Sequence, residues 1–178
     1  KLGLSMQNNS SDKKELIQDV NEMEKLINEF LDFSKYGSVD ETEQVNVLDL
    51  IKEISSNSSR ISGKLTIGTV PDELQDVPLK PLSIKRSIEN IINNAEKWAE
   101  NVKLSLIIEN RILIFRIDYD GPGIPLNKRD EAIKPFTKLD VARNQNYGGG
   151  VGLGLAISAD IARSHGGELN LGESTELG

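Results

Sequence analysis

The sequence predicts an α+β fold, a mixed sheet with helices on one face, preceded by part of a helical hairpin. Three observations predict it. The segment PLSIKRSIENIINNAEKWAE, residues 81–100, repeats apolar residues at helical spacing. VKLSLIIE and RILIFRID, from Val102 to Asp118, alternate well enough for two antiparallel strands joined at Asn110. Helices and antiparallel strands mixed along one chain in this way build a sandwich of helices on a sheet.

The elements follow in order. Residues 12–36 place Leu16, Val20, Met23, Ile27 and Phe30 at steps of four, three, four and three, which is heptad spacing and makes a seam for another helix. Asp12 is the expected N-cap and Gly37 the stop. Leu2, Leu4 and Met6 precede the polar turn NNSSD, where a second helix is expected to end. A core helix of one domain is the plain alternative. Two helices alone cannot bury such a seam, which favours a hairpin that dimerises. The expected domains are thus a partial hairpin, 1–37, and a second domain, 38–178.

SVDETEQ reads as a linker, VNV as a short strand, DLIKEISSNSSR as a helix, and KLTIGTV as a strand-like run ending at Pro71. The helix of residues 81–100 and the strand pair come next. DGPGIP is a turn, NKRDEAI a short helix and TKLDVARNQNYGGG a long polar loop. The helix LAISADIARSH and a final strand ELNLGES complete the domain. The chain starts without methionine inside an apolar pattern and stops at Leu177-Gly178 just after that strand, so both ends read as cut.

Composition narrows the function. The 178 residues carry 21 basic and 28 acidic side chains, net −7, with no basic stripe of the kind a nucleic-acid partner needs. No cysteine is present, so neither a disulfide framework nor a thiolate metal site is available. The first residues lack an apolar signal core, and no run approaches a membrane span. Any membrane attachment is expected only through segments outside this sequence.

The richest signal is YGGGVGLGLAI, Tyr147 to Ile157, where five of eleven residues are glycine ahead of a helix. Glycine lets backbone approach a ligand, and a helix N-terminus offers free N–H groups to an anion. The glycines do not fit the dinucleotide spacing, because Gly148 with Gly150 leads to Leu153 and Gly150 with Gly152 leads to Leu155. They do not make a phosphate loop of the Gly-Lys-Ser/Thr type, since Leu155 follows Gly154. Glycines that only start a helix would explain one or two of the five. A loop-to-helix phosphate site of another kind remains.

On the helix of residues 81–99, successive residues turn by about 100°. Ile84, Ile88, Ile91, Ala95 and Ala99 are expected to share one face, with Asn90 and Asn94 one turn apart beside it. Lys97 and Trp98 fall on the next turn. Asparagines oppose helix propensity. A solvated flank would explain either one. As a cluster they suit an oxygen-seeking cation: Asn94 offers a carbonyl to Mg²⁺, Lys97 meets phosphate and Trp98 covers a base by stacking. In DYDGPGI, Asp120 can accept a hydrogen bond from an adenine amino group while Gly121 and Gly123 let the base approach. An ordinary Asp-Gly turn is the alternative. Asp118 joins the same acidic rim without an assigned role.

The order N-I-I-N-N-A-E-K-W, D-x-D-G-P-G-I, P-F-T-K-L-D-x-A-R, then G-V-G-L-G-L-A-I resembles the four nucleotide-binding boxes of sensor histidine kinases, which share the Bergerat ATP-binding fold. The match spans residues 81–167, and PLSIKRSIENIINNA is similar to the osmosensing branch of that family. The resemblance implies a Bergerat-type sandwich behind a truncated dimerisation hairpin, with ATP and Mg²⁺ as ligands. It implies Asn94 as the metal ligand, with Asn90, Lys97, Trp98, Asp120, Gly121, Gly123 and Ile124 around the nucleotide. Gly150, Val151, Gly152, Leu153, Gly154 and Leu155 would form the phosphate-side loop, and residues 137–149 a flexible ATP lid. Lys138 stands where the family usually has an arginine reaching the terminal phosphate, which makes Asn94 and Lys138 the catalytic pair. Ile133 in place of a second phenylalanine, Lys138 in place of arginine and Trp98 in place of tyrosine or phenylalanine depart from the pattern. They bear on lid geometry and rate rather than on nucleotide binding.

The resemblance further implies transfer of the ATP γ-phosphate to a helix histidine and then to an aspartate of a response-regulator receiver domain. It implies a homodimer through the hairpin, and a cytoplasmic position beneath a bacterial inner or plasma membrane. The sole histidine is His165, at a helix end before Gly166-Gly167, where a cap and a favourable dipole contact account for it. The acceptor motif is expected just upstream of Lys1. Two other readings stand beside this one. A water-splitting ATPase of the gyrase type needs a Glu four residues before the magnesium Asn; here that position is Asn90, and Glu89 is turned about 100° away. A non-catalytic module whose nucleotide state only controls dimer contacts is the other.

Overall fold

The computed structural model describes residues 40–138, 152–174, 176 and 177, with eight positions of the first segment. Those eight are Lys13, Leu16, Ile17, Val20, Asn21, Met23, Glu24 and Ile27. The chain divides into two compact units, Lys1–Ser38 and Val39–Gly178. In the first, all eight described residues are helical, and Leu16, Val20, Met23 and Ile27 of the heptad row are exposed. Leu2, Leu4, Met6, Asp12, Phe30 and Gly37 lie outside the described residues.

The second unit runs β1 (Glu43–Val45), α1 (Val47–Ile61), β2 (Leu65–Ile67), β3 (Val77–Leu79), α2 (Pro81–Glu96), β4 (Val102–Glu109) and β5 (Ile112–Tyr119). A turn of 3-10 helix (Leu126–Lys128), α3 (Arg129–Ala132) and α4 (Gly154–Ser164) follow. β2, β4 and β5 form a mixed sheet, β2 parallel and β5 antiparallel to β4, while β1 and β3 pair antiparallel as a separate ribbon. The β4–β5 hairpin closes at Asn110-Arg111. Both residues have positive φ, +50° and +67°, which matches the twist that tight hairpins require.

Side chains alternate along β4 and β5, so one face carries Val102, Leu104 and Leu106 opposite Tyr119, Ile117 and Phe115. That face meets Val47, Ile51 and Ile54 of α1 and Ile88, Ile92 and Ala95 of α2, which together make the core. The helices therefore sit on one face of the sheet. Within α2 the most buried isoleucines are Ile88 and Ile92, whereas Ile91, expected on that face, is half-buried toward one flank. One residue of helical rotation accounts for the difference.

α2 positions the candidate site and is fastened at both ends from elsewhere. Its own N-cap residue, Lys80, supplies no side-chain bond. The buried Asp40 carboxylate does so instead, accepting the Ser83 N–H at 2.6 Å. An anion there complements the free N–H groups and the positive end of the helix dipole. At the other end the Lys64 ammonium donates to the Glu96 and Ala99 carbonyls at 3.2 and 2.7 Å, and the helix stops at Glu96 rather than running to Ala99.

Two expectations about strands are corrected, and one strand was not expected. The first strand is Glu43–Val45, because Asn46 turns its side chain to the Asp49 N–H at 3.1 Å and caps α1. β3 was unforeseen; Pro78 lacks an N–H, but a three-residue partner in a two-stranded ribbon tolerates it opposite Gln44. The final strand expected at ELNLGES is absent: residues 168–174 form no ladder, although Leu169 and Leu171 are half-buried between exposed neighbours. Their alternation reflects side-chain packing without backbone pairing.

Candidate functional site

α2 and α4 pack side by side, and small residues let them approach. Ser158, fully buried on α4, donates its hydroxyl to the Ser87 carbonyl of α2 at 3.0 Å. One turn earlier on α4, Gly154 faces Asn90: a Cβ built on Gly154 would stand 3.8 Å from the Asn90 Cβ, ordinary contact. The first residue of α4 thus lies on the asparagine that opens the polar stripe of α2. The Asn90 Nδ2 is buried and has no hydrogen-bond partner among the described residues. A buried amide left unpaired costs about 1–3 kcal/mol, so its retention asks for a function.

The start of α4 has the character of an anion site. Leu153 stands at its N-cap without a capping side chain, and the first turn holds no acidic residue. The N–H groups of this eleven-residue helix are therefore left to water or a ligand. Leu153 itself is buried and Leu155 half-buried, so both side chains serve as packing.

Two more glycines join the remaining motifs to this centre. Gly152, at φ +81°, lies so close to the 136–137 backbone that a Cβ would meet the Thr137 carbonyl at 2.6 Å, and its own carbonyl accepts the Phe136 N–H at 3.0 Å. Phe136 is exposed and holds a positive φ of 62°, which is costly for a bulky residue. Gly121 abuts the end of α2, where a Cβ would stand 2.8 Å from the Trp98 carbonyl. These contacts link the four sequence motifs in pairs, Gly154 to Asn90, Gly152 to Thr137 and Gly121 to Trp98. Two of the glycines, however, admit the chain's own backbone rather than a base or a phosphate. Gly123, at φ +67° with open space around it, has a conformational reason to be glycine.

Asn94 is half-buried one helical turn beyond Asn90, while Lys97 and Trp98 lie on the closing turn past the helix end. Lys97 is exposed and Trp98 half-buried. The Ile124 carbonyl is held by the Arg129 Nε at 3.1 Å, which ties the glycine turn to α3. Lys138 is exposed at the near edge of residues 139–151. Gly150, Val151 and most of the expected lid, 137–149, lie outside the described residues.

Asp120 requires a correction. Its carboxylate is not turned free toward a base: Oδ1 accepts the Glu100 and Asn101 N–H groups at 2.9 and 3.0 Å, and Oδ2 accepts the Asn101 amide at 2.6 Å. These bonds, Asn101's first, hold the carboxyl below its ordinary range. Asp120 fastens the β5 turn to the loop after α2. Asp118, expected on an acidic rim, is buried on the outer face of the sheet across from Lys103, with one oxygen unpartnered among the described residues.

Glu89 is the neighbouring carboxylate that water-splitting chemistry would need. It lines a cavity of about 210 Å³ with Ile54, Asn57, Asn93 and Glu96, between α1 and α2. Asn90, by contrast, faces α4. Burial raises the Glu89 carboxyl and Lys85 partly offsets that. His165 is engaged at both ring nitrogens: Nε2 accepts the Lys80 N–H at 3.1 Å, which leaves Nδ1 to donate to the Ile161 carbonyl at 2.8 Å. The imidazole links the end of α4 to the start of α2. Sequence reasoning missed this bridge and the two distant caps of α2, because all three join residues far apart in the chain.

The described residues contain no group of three carboxylates, histidines or cysteines able to hold a metal. The half-buried Asn94 carbonyl is chemically suited to a Mg²⁺ that keeps phosphate oxygens and water as its other ligands.

A family profile described as histidine kinase-, DNA gyrase B-, and HSP90-like ATPase matches residues 79–178. The sensor histidine kinase GtrS of Pseudomonas aeruginosa is 32% identical over 161 residues, covering 90% of this chain and 33% of GtrS. The chain spans less than half the length of the curated relatives it matches. Among solved structures, the ATP binding domain of PrrB from Mycobacterium tuberculosis superposes with a TM-score of 0.61 at 27% identity, covering 76% of this chain and 90% of that one. The histidine kinase domain of the E. coli osmosensor EnvZ gives a TM-score of 0.55 at 32% identity, over 76% of this chain and 81% of that domain. With its four motifs linked around α2 and α4, the chain belongs to the histidine kinase-, DNA gyrase B- and HSP90-like ATPase family, and within it to the sensor histidine kinases.

Proposed function

We propose that this chain is the kinase core of a two-component sensor, binding Mg-ATP in the groove between α2 and α4 and passing the γ-phosphoryl group to a histidine outside this sequence. The observation that carries the reading is the buried Asn90 amide, without a partner among the described residues, set against the uncapped start of α4. The PrrB domain, an ATP binding domain by its description, supports the nucleotide.

The α4 N–H groups hold the phosphates, Asn90 donates to a phosphate oxygen, and Asn94 orients the metal-bearing end of the nucleotide. Trp98 lies against the base. Mg²⁺, when bound, neutralises phosphate charge. Lys138 offsets charge that develops at the γ-phosphoryl group as a nitrogen–phosphorus bond to the acceptor imidazole forms and the bond to ADP breaks. Such transfer rests on positioning and electrostatics. Water is a poor acceptor here, since Asn90 carries no base and Glu89 lines the opposite flank of α2.

The heptad row of the first unit would complete a four-helix dimer, and a receiver-domain aspartate would take the phosphoryl group onward. The membrane position of such a sensor would come from other segments. Among the described residues no helix is long and apolar enough to cross a membrane.

The test supplies the chain with labelled ATP and a second kinase that has an intact acceptor helix but an inactivated ATP site. Slow labelling of that partner is expected, lost in Asn94→Ala. No labelling of the partner, or label on His165 of the isolated chain, would contradict the proposal.

A further inference from the structure

β5 ends, just before the glycine turn, on a half-buried aromatic side chain. Alternation sends Leu113, Phe115, Ile117 and Tyr119 to the helix-covered face, and Asp118 to the other. The last inward side chain before the glycine turn is therefore a phenol, not a carboxylate. The next residue, Asp120, has both oxygens engaged by Glu100 and Asn101.

Tyr119 borders the glycine turn beside Trp98. Gly121 packs between it and the end of α2: a Cβ there would meet the Tyr119 Cδ2 at 3.1 Å and the Trp98 carbonyl at 2.8 Å. The ring is half-buried on the core, and no hydrogen bond engages its hydroxyl among the described residues. Burial raises the phenol above its ordinary value and the Arg129 guanidinium partly offsets that, so the group stays an O–H at neutral pH.

We propose that the Tyr119 hydroxyl, rather than a carboxylate, meets the edge of the nucleotide base and sets base selectivity. The inference rests on the nucleotide reading above. A carboxylate only accepts hydrogen bonds, so it rewards the amino group of adenine and repels the oxo group of guanine. A hydroxyl donates or accepts and satisfies either. The chain consequently discriminates weakly between adenine and guanine nucleotides, and Tyr119 is a specificity-determining residue.

The experiment displaces trinitrophenyl-ATP from the chain with Mg-ATP and with Mg-GTP. Wild-type affinities for the two are expected to agree within about tenfold, and Tyr119→Phe to weaken both by about 2- to 10-fold, the worth of one neutral hydrogen bond. Tyr119→Asp is expected to shift the ratio toward ATP. An ATP preference beyond about a hundredfold in the wild type, against the weak discrimination a two-way hydroxyl gives, overturns the inference. So does a Tyr119→Phe chain that melts normally and binds both nucleotides undiminished, or a base ratio that moves with Asp120→Asn and not with Tyr119→Phe. In those three cases the nucleotide reading survives. If the chain binds neither the probe nor either nucleotide, both fall together.

Discussion

Asp40 and Ser83 are separated by 43 residues, yet the Asp40 carboxylate accepts the Ser83 N–H at 2.6 Å and caps the helix that carries Asn90 and Asn94. With Lys64 on the far carbonyls, α2 is held at both ends by charges matched to its dipole. Asp40→Ala should destabilise the domain by about 1–2 kcal/mol, the worth of a helix cap, and Asp40→Asn by less because an acceptor remains. Urea unfolding midpoints of the three chains check it.

The unpaired Asn90 amide makes stability and function pull apart. Replacing it with leucine of similar size removes a buried donor that has no partner among the described residues. Asn90→Leu should raise unfolding stability by about 1 kcal/mol and weaken nucleotide binding by about tenfold or more. Denaturant unfolding and calorimetric titration on the same sample give both quantities.

The glycines of the α4 loop should not respond alike. A Cβ at Gly152 would press on the Thr137 carbonyl at 2.6 Å in a left-handed backbone, whereas at Gly154 it would make ordinary contact at 3.8 Å. Gly152→Ala is expected to destabilise by about 1–2 kcal/mol. Gly154→Ala should leave the melting temperature close to wild type, because alanine suits a helix. Thermal unfolding of the pair decides it.

Much of this architecture was legible because local pattern and tertiary role agree. The apolar spacing of α2 placed its buried face within one residue, and alternation in β4 and β5 defined their inward sides. Two kinds of feature were not legible. Asp40 and Lys64 act on α2 across long sequence separations, and nothing local marks them. Asp120 sits in an Asp-Gly turn that reads the same whether its carboxylate faces a ligand or, as here, the Glu100–Asn101 backbone. The inward position of Tyr119 follows from the period of β5, with acidic residues on either side of it.

Asp120 also gives a pH prediction. Its folded pKa is lowered by bonds to Asn101 and Glu100. Its contribution to stability is therefore complete above the ordinary carboxylate value, about 4, and is lost as pH falls through the lowered folded value. Wild type should exceed Asp120→Asn in stability at neutral pH, with the gap closing below about pH 4. A gap that persists unchanged at the lowest pH would show that the charge of Asp120 is not what stabilises the turn. Unfolding curves across the acid range provide the comparison.

Nucleotide binding between α2 and α4 is tested by following backbone and side-chain amide resonances of the isotopically labelled chain during titration with Mg²⁺ and a non-hydrolysable ATP analogue. The largest changes are expected at the Asn90 side-chain amide, the Trp98 indole, and the N–H groups of Gly154 and Leu155, with little at Asn57 and Asn93 in the α1–α2 cavity. Saturable changes confined to that cavity, or none at all with excess nucleotide, would contradict it.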